Sequence, residues 1–171
     1  MLNSLDRGLD WFERVLYLGA AAALALMMVS ISADALGRYL FTQPVRGVYE
    51  LNELYLLTAT VYLSIARAQR LDEHIAVHAI FLAMPRPVRR VVRVIGRLLS
   101  AALFAAIAYK TGGMALQQFE MGNATSGAVT LPTWIGWFFV AVGSGAMTLR
   151  LLLQVVFEVC GRDVPGDRPE H

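Results

Sequence analysis

Residues 15–33 read VLYLGAAAALALMMVSISA and contain no charged side chain. An α-helix of about 20 apolar residues crosses the roughly 30 Å of hydrocarbon in a bilayer, so this run predicts a transmembrane helix over residues 15–36. A cleaved signal peptide is the alternative, but the preceding segment LDRGLDWFER is rich in acids and the run is long for a signal peptide. The composition also favours a membrane protein, because 57% of the residues are hydrophobic and only 16% are charged.

Three more apolar stretches predict three more transmembrane helices. The second span, residues 48–67, combines LYLLTATVYLSIA with the acidic segment VYELNE before it. The third covers residues 91–116 and includes Lys110, whose long side chain can extend toward the nearer interface. The fourth covers residues 132–156. Because backbone groups in a bilayer must be paired within each span, we predict an all-α integral membrane protein with four transmembrane helices in one domain, residues 1–171.

The segment between the second and third spans predicts a short amphipathic helix, residues 72–84, lying in the headgroup layer. Polar side chains recur around it at steps of three or four, as in Arg70, His74 and His78, and would form one face of a helix. The following segment MPRPV breaks the helix, because its two prolines disfavour helical geometry in the residues before them.

Basic and aromatic side chains near the predicted span ends suit lipid headgroups. A basic stripe at the start of the third span can contact anionic lipid phosphates, although a role in topology alone explains the same arginines more simply. Tryptophan favours the membrane–water boundary, and Pro132 suits the first turn of the fourth helix. The predicted headgroup residues are Arg86, Arg89, Arg90, Arg93, Arg97, Trp134 and Trp137.

The orientation follows from the distribution of the 15 Lys and Arg residues. Segments rich in Lys and Arg stay in the cytoplasm, so the richer side predicts cytoplasmic termini and a cytoplasmic middle loop. The opposite side holds only Arg38, Arg46 and Lys110. The richer side holds twelve arginines, at positions Arg7, Arg14, Arg67, Arg70, Arg86, Arg89, Arg90, Arg93, Arg97, Arg150, Arg162 and Arg168.

The sequence predicts neither a metal site nor a cofactor. His74 and His78 are spaced to share a helix face, but a haem in a helical membrane protein needs axial histidines at membrane depth, and zinc needs three or four ligands. The single cysteine, Cys160, has no partner for a disulfide or a redox pair. No hydrolytic or phosphate-binding motif occurs, so we predict that the chain is not an enzyme.

Ionisable residues cluster at the outer ends of the first two spans. Asp34 and Arg38 are four residues apart and could pair, while Glu50 and Glu53 could meet Arg38 or Arg46. Such residues could form a proton or cation site, but their place near the interface favours ion pairs that hold helix ends or bind a partner. In the fourth span, the small residues at positions 141 and 145 are four apart, a spacing that lets another helix pack closely against this one.

Four segments in order resemble the small membrane subunit of tripartite ATP-independent periplasmic (TRAP) transporters. They are GRYLF at the end of the first span, GVYELNELYLL at the start of the second, SIARAQRLDEHIAVH after it, and TLPTWIGWFFVAVGSGAMTLRLL in the fourth. His78 stands where the family usually has Asp. The resemblance covers nearly the whole chain.

The resemblance implies a subunit of the bacterial inner membrane that binds a large multispanning subunit. That partner would carry the sodium-coupled path of an organic acid, sodium would bind there rather than here, and a periplasmic solute-binding protein would deliver the substrate. Membrane lipids are further partners, and no nucleic acid is expected. The resembling motifs and the charged residues beside them are predicted to serve as scaffold or partner-contact positions. These positions are Asp34, Gly37, Arg38, Tyr39, Glu50, Glu53, Arg70, His74 and Pro132.

Two other functions remain alternatives at the level of sequence. A small proton-coupled exporter also has four helices, but it uses a membrane glutamate, and the strong arginine bias opposes the inverted insertion that such exporters often need. A membrane anchor or cytochrome subunit of a redox enzyme is disfavoured because the predicted spans contain no histidine.

Overall fold

The computed structural model describes residues 2–43, 47–70, 86–125 and 129–160, and every regular element within these ranges is a helix. Helix α1 is Leu2–Phe41. Helix α2 consists of three consecutive segments, Val48–Leu51, the π-helical Asn52–Leu57 and Thr58–Arg70. Helix α3 is Arg86–Met121, and helix α4 is Trp134–Val159. The predicted interfacial helix, residues 72–84, lies outside the described residues.

Three of these helices are long and apolar enough to cross a membrane: α1 over Asp6–Phe41, α3 over Val91–Met121 and α4 over Trp134–Val159. The predicted first, third and fourth spans are therefore confirmed as apolar helices of sufficient length. Helix α2 is not among them, because its π segment divides it into shorter elements that carry several polar side chains. That α2 is a fourth span remains a prediction.

The π segment of α2 begins at a buried asparagine. The Asn52 side-chain amide donates to the Val48 carbonyl at 2.7 Å, and Ser30 Oγ of α1 donates to Asn52 Oδ1 at 3.0 Å. A π turn places an extra residue between backbone hydrogen bonds and is frequent at functional positions. Here the side chain of the first π residue is hydrogen-bonded to a neighbouring helix, which satisfies a polar group that would otherwise be costly in an apolar environment.

The helices lie side by side in the order α1, α2, α4, α3. Helix α4 is in the interior of this row, since 44% of its most apolar stretch is buried, against 11% for α1 and for α3. Two small apolar clusters hold the row together. One lies between α1 and α2 around Ala20 and Leu63, and the other joins α2, α3 and α4 around Ala66, Ala101 and Leu151.

Two glycines let α4 approach α2 closely. A Cβ atom at Gly136 would lie 2.8 Å from the Leu54 carbonyl oxygen, and a Cβ atom at Gly143 would overlap the Tyr62 carbonyl oxygen. The sequence pointed instead to positions 141 and 145. A Cβ at Gly145 would meet nothing within 4 Å, so the close contact uses a different pair of small residues.

Helices α1 and α3 run from the first end of the row to the second, and α2 and α4 run parallel to each other in the opposite direction, so the row has two distinct ends. We call the end that contains Asp6, Arg70, Arg97 and Glu158 the charged end. The other, which we call the aromatic end, contains the edge-to-face pair of Phe119 and Trp134, with ring centroids 5.3 Å apart. This arrangement places the start of α1 and the last turns of α4 at the same end.

Candidate functional site

Three polar side chains of α4 connect this helix to all of its neighbours at the charged end. Arg150, Gln154 and Glu158 are four residues apart, and each contacts a different helix. Arg150 pairs with α1, Gln154 accepts a hydrogen bond from Gln69 of α2 at 3.1 Å, and Glu158 pairs with Arg97 of α3. We call these residues, with the side chains that they contact, the charged-end cluster.

Arg150 is the most buried charge of the charged-end cluster. Its Nε and Nη2 atoms donate to the two carboxylate oxygens of Glu13 at 2.6 and 2.7 Å, and Nη1 donates to Asp6 Oδ1 at 2.6 Å. Arg150 is 1% exposed and Glu13 is fully buried. Such a two-point contact suits the planar guanidinium group, and the burial means that losing one partner would leave an uncompensated charge.

The acids of α1 also hold the end of α2. Asp10 lies 2.6 Å from Arg67 and 3.0 Å from Arg14, and it forms an ion pair with Arg70 as well. Arg70 is in addition 3.8 Å from Asp6. Burial lowers the pKa of the Arg70 guanidinium, nearby Arg150 lowers it further, and Asp6 raises it. Arg70, predicted as a partner-contact or scaffold residue, therefore has contacts within the chain itself.

The pairing of α3 with α4 corrects part of the predicted headgroup set. Arg97 is only 8% exposed, and its Nη1 lies 2.6 Å from Glu158 Oε2, so its side chain is directed into the protein rather than toward lipid. Arg93 is partly exposed, with Nε 3.9 Å from Glu158 Oε1. The expected headgroup contacts of the remaining arginines stay predictions, since the side chains of Arg86, Arg89 and Arg90 lie outside the described part.

At the aromatic end, the predicted pairing of Asp34 with Arg38 is confirmed. Arg38 Nε and Nη2 lie 2.9 and 2.7 Å from Asp34 Oδ2. Gly37 is half-buried on the same turn, and Tyr39 is 85% exposed. Glu50 and Glu53 lie in the first turns of α2, Glu50 half-buried and Glu53 exposed. Their expected contact with Arg46 remains a prediction, because Arg46 lies outside the described residues.

The Asp34–Arg38 pair is exposed, so its removal should change stability little. The Arg38 side chain is 64% exposed, and exposed pairs four residues apart on a helix contribute about 0.3–0.5 kcal/mol. We expect Arg38→Ala to lower the unfolding free energy of the purified chain by no more than about 0.5 kcal/mol, measured by denaturant titration in detergent micelles. A loss above about 2 kcal/mol would contradict the described geometry.

Pro132 connects three elements at the aromatic end. It forms an isolated antiparallel bridge with Ala124, and its carbonyl accepts a hydrogen bond from the Tyr55 hydroxyl of α2 at 2.7 Å. Trp134, two residues further on, packs on Phe119, and Trp137 is partly exposed. Their place at the membrane–water boundary stays a prediction. These contacts hold the connection between α3 and α4 against α2, and the predicted scaffold or partner-contact role of Pro132 stays a prediction.

Within the described ranges, no group of three His, Cys, Asp or Glu side chains is arranged to hold a metal ion. His74 and His78, the histidines that raised the question of a metal, lie outside those ranges, as does the terminal His171. The expectation that the chain binds no metal or cofactor therefore stays a prediction.

Sequence reasoning missed most of the charged-end cluster. It counted Arg67 and Arg150 only as topology signals, and it assigned Arg70 to the scaffold or partner-contact positions without naming a partner within the chain. A signal was available, because polar side chains at steps of three and four share a helix face. The missed set with this spacing is Asp6, Asp10 and Glu13 in α1, and Arg150, Gln154 and Glu158 in α4.

Long apolar helices, linked by buried ion pairs at one end, define a helical membrane protein. A family model described as "Tripartite ATP-independent periplasmic transporters, DctQ component" matches residues 27–161. The chain belongs to this family, the small component of TRAP transporters. The family implies association with a large membrane subunit and a periplasmic binding protein. A comparison with curated proteins gave no match.

Proposed function

We propose that this chain is a non-catalytic scaffold for the large TRAP subunit. In this proposal the large subunit carries the sodium-coupled substrate path and binds the sodium ions. The substrate is an organic acid that a periplasmic binding protein delivers to the complex. The present chain holds the large subunit in place in the bacterial inner membrane while parts of that subunit move.

The observation that carries the proposal is the connection of α4 to all three neighbouring helices through the charged-end cluster. A moving transport domain requires a part of the complex that does not move. Sliding α4 along α1 would separate Arg150 from Glu13 and leave two buried charges unpaired, which is strongly unfavourable. The row of helices is therefore suited to act as a rigid unit.

The proposed orientation places the charged end in the cytoplasm. The rule that predicts it counts Lys and Arg, and acids contribute little, so the acids that pair with Arg70 and Arg150 do not weaken the prediction. The start of α1 and the last turns of α4 lie at this same end. The chain must therefore cross the membrane an even number of times. A membrane-crossing α2 supplies the fourth, and both termini are then cytoplasmic.

The proposed function is tested by purifying the tagged chain from its native host in mild detergent and identifying the co-eluting proteins by mass spectrometry. We expect a multispanning partner in stoichiometric amounts, encoded beside a periplasmic binding protein. Vesicles that contain all three proteins should take up an organic acid only with an inward sodium gradient.

Three results would contradict this function. Dye uptake driven by protons into vesicles containing this chain alone would support the exporter, and a haem absorption band in the purified protein would support the redox subunit. Uptake that is unchanged when this chain is omitted would show that it is not a required scaffold.

A further inference from the structure

Lys110 is an exposed cation far from both ends of the α3 span. At 1.5 Å per residue, it lies about 13 Å along the helix axis from Phe119, which packs on Trp134 at the aromatic end, and about 20 Å from Arg97 at the charged end. These distances together match the roughly 30 Å of bilayer hydrocarbon. The backbone of Lys110 therefore lies within the span, nearer to its aromatic end.

The ammonium group of Lys110 has no obvious partner at this depth. Among the residues that the structure describes, none forms an ion pair or a hydrogen bond with the Lys110 ammonium group. The side chain extends only about 6 Å along its four methylenes, about half the distance to the aromatic end. Charged side chains at such depth are costly and almost always pair with another group or line a polar space.

Small and polar side chains lie beside Lys110, among exposed apolar ones such as Leu103 and Met114. Ala106, Gly113 and Gln117 are exposed at helical spacing on the same side of α3, and neighbouring Tyr109 is 81% exposed. A Cβ atom at Gly113 would meet nothing within 4 Å. We call Ala106, Tyr109, Lys110, Gly113 and Gln117 the Lys110 face. Its small side chains allow another helix to approach, and its polar groups offer hydrogen bonds.

The row has two outer edges, formed by α3 and by α1. The α1 edge carries no charged side chain at this depth. The exposed side chains of α1 at comparable depth are apolar, both large, such as Leu18 and Leu26, and small, such as Ala25, and no charged residue occurs between positions 15 and 33. Large aliphatic side chains need only lipid around them, whereas a lysine needs an anion. The charge therefore distinguishes one edge of the row from the other.

We propose that the Lys110 face binds a membrane helix of the large TRAP subunit that presents a carboxylate at the depth of Lys110. The proposal rests on the proposed function, because it needs the large subunit as partner. It assigns the α3 edge to the interface between subunits and the α1 edge to lipid. The small residues beside the lysine let the partner helix come close enough for a direct ion pair.

The test compares variants of the tagged chain produced with the large subunit, and measures how much large subunit co-purifies in mild detergent. Gly113→Leu fills space that is empty in this chain, so the subunit itself should fold normally, while the partner helix is displaced. Lys110→Leu leaves the partner carboxylate unpaired, and Lys110→Arg preserves the charge. Ala25→Leu, on the exposed side of α1, is the matched control for added volume.

We expect Gly113→Leu and Lys110→Leu to reduce the co-purified large subunit about tenfold, with the melting temperature of the isolated chain unchanged. Lys110→Arg and Ala25→Leu should retain the wild-type amount. A photo-crosslinking residue at position 117 should label the large subunit, and one at position 25 should not.

Wild-type recovery with both Gly113→Leu and Lys110→Leu, or crosslinks that reach the large subunit only from position 25, would overturn the proposal while the proposed function stands. Labelling of lipid alone from position 117 would likewise assign the α3 edge to lipid. If the wild-type chain captures no large subunit at all, the proposed function itself fails.

Discussion

Arg150→Met should destabilise the chain by about 3–5 kcal/mol, because it leaves the buried Glu13 carboxylate without its two-point partner. Asp6 loses a 2.6 Å contact in the same variant. Methionine retains an unbranched apolar chain in place of the arginine stem, so the loss of charge dominates over the loss of packing. The measurement is denaturant unfolding of the purified chain in detergent, with thermal stability by size-exclusion chromatography as a second readout.

A double variant separates the charge from the packing. Replacing a buried ion pair by apolar residues of similar size is often neutral or stabilising, so Glu13→Leu combined with Arg150→Met should recover most of the lost stability. Arg38→Ala is the control for removing an arginine from an exposed pair. If the double variant were as unstable as the sum of the two single variants, the two side chains would not be coupled and the described pairing would be incorrect.

Gly143→Ala should destabilise the chain by about 1–3 kcal/mol, and Gly143→Leu should prevent α2 and α4 from packing. The added Cβ would overlap the Tyr62 carbonyl oxygen, which belongs to the backbone and cannot move without shifting α2. Because α4 also holds α1 and α3, the expected consequence is a loss of folded chain and of the associated large subunit. Thermal stability in detergent and co-purification measure the two effects.

Gly145→Ala is the matched control for this prediction. It lies on the same helix, and its Cβ would meet nothing within 4 Å. Alanine is favoured over glycine inside a helix by up to about 1 kcal/mol, so stability should be unchanged or slightly higher. Equal losses in Gly143→Ala and Gly145→Ala would show that the two helices do not make the described close contact.

The type and rough position of most elements could be predicted from local patterns. The uncharged run at residues 15–33 is long enough to cross a bilayer whatever surrounds it, and residues 91–116 and 132–156 are also long and mainly apolar, with a few charged side chains. The Asp34–Arg38 pair was also predictable, since both residues lie on one helix and their spacing fixes the geometry. The family followed from short motifs in order, which need no knowledge of how helices pack.

The charged-end cluster was decided only by the tertiary structure. Arg150 could have been exposed or could have paired with several acids, and its pairing with Glu13 depends on α1 and α4 being brought together around the end of α2. The same is true of Gly143, whose importance depends on which carbonyl of α2 it faces. Sequence alone determined that these helices form and are apolar, because those properties depend on neighbouring residues. Packing between residues far apart in the sequence sets the lateral order and the rotation of the helices. That order and rotation determine which charged side chains meet.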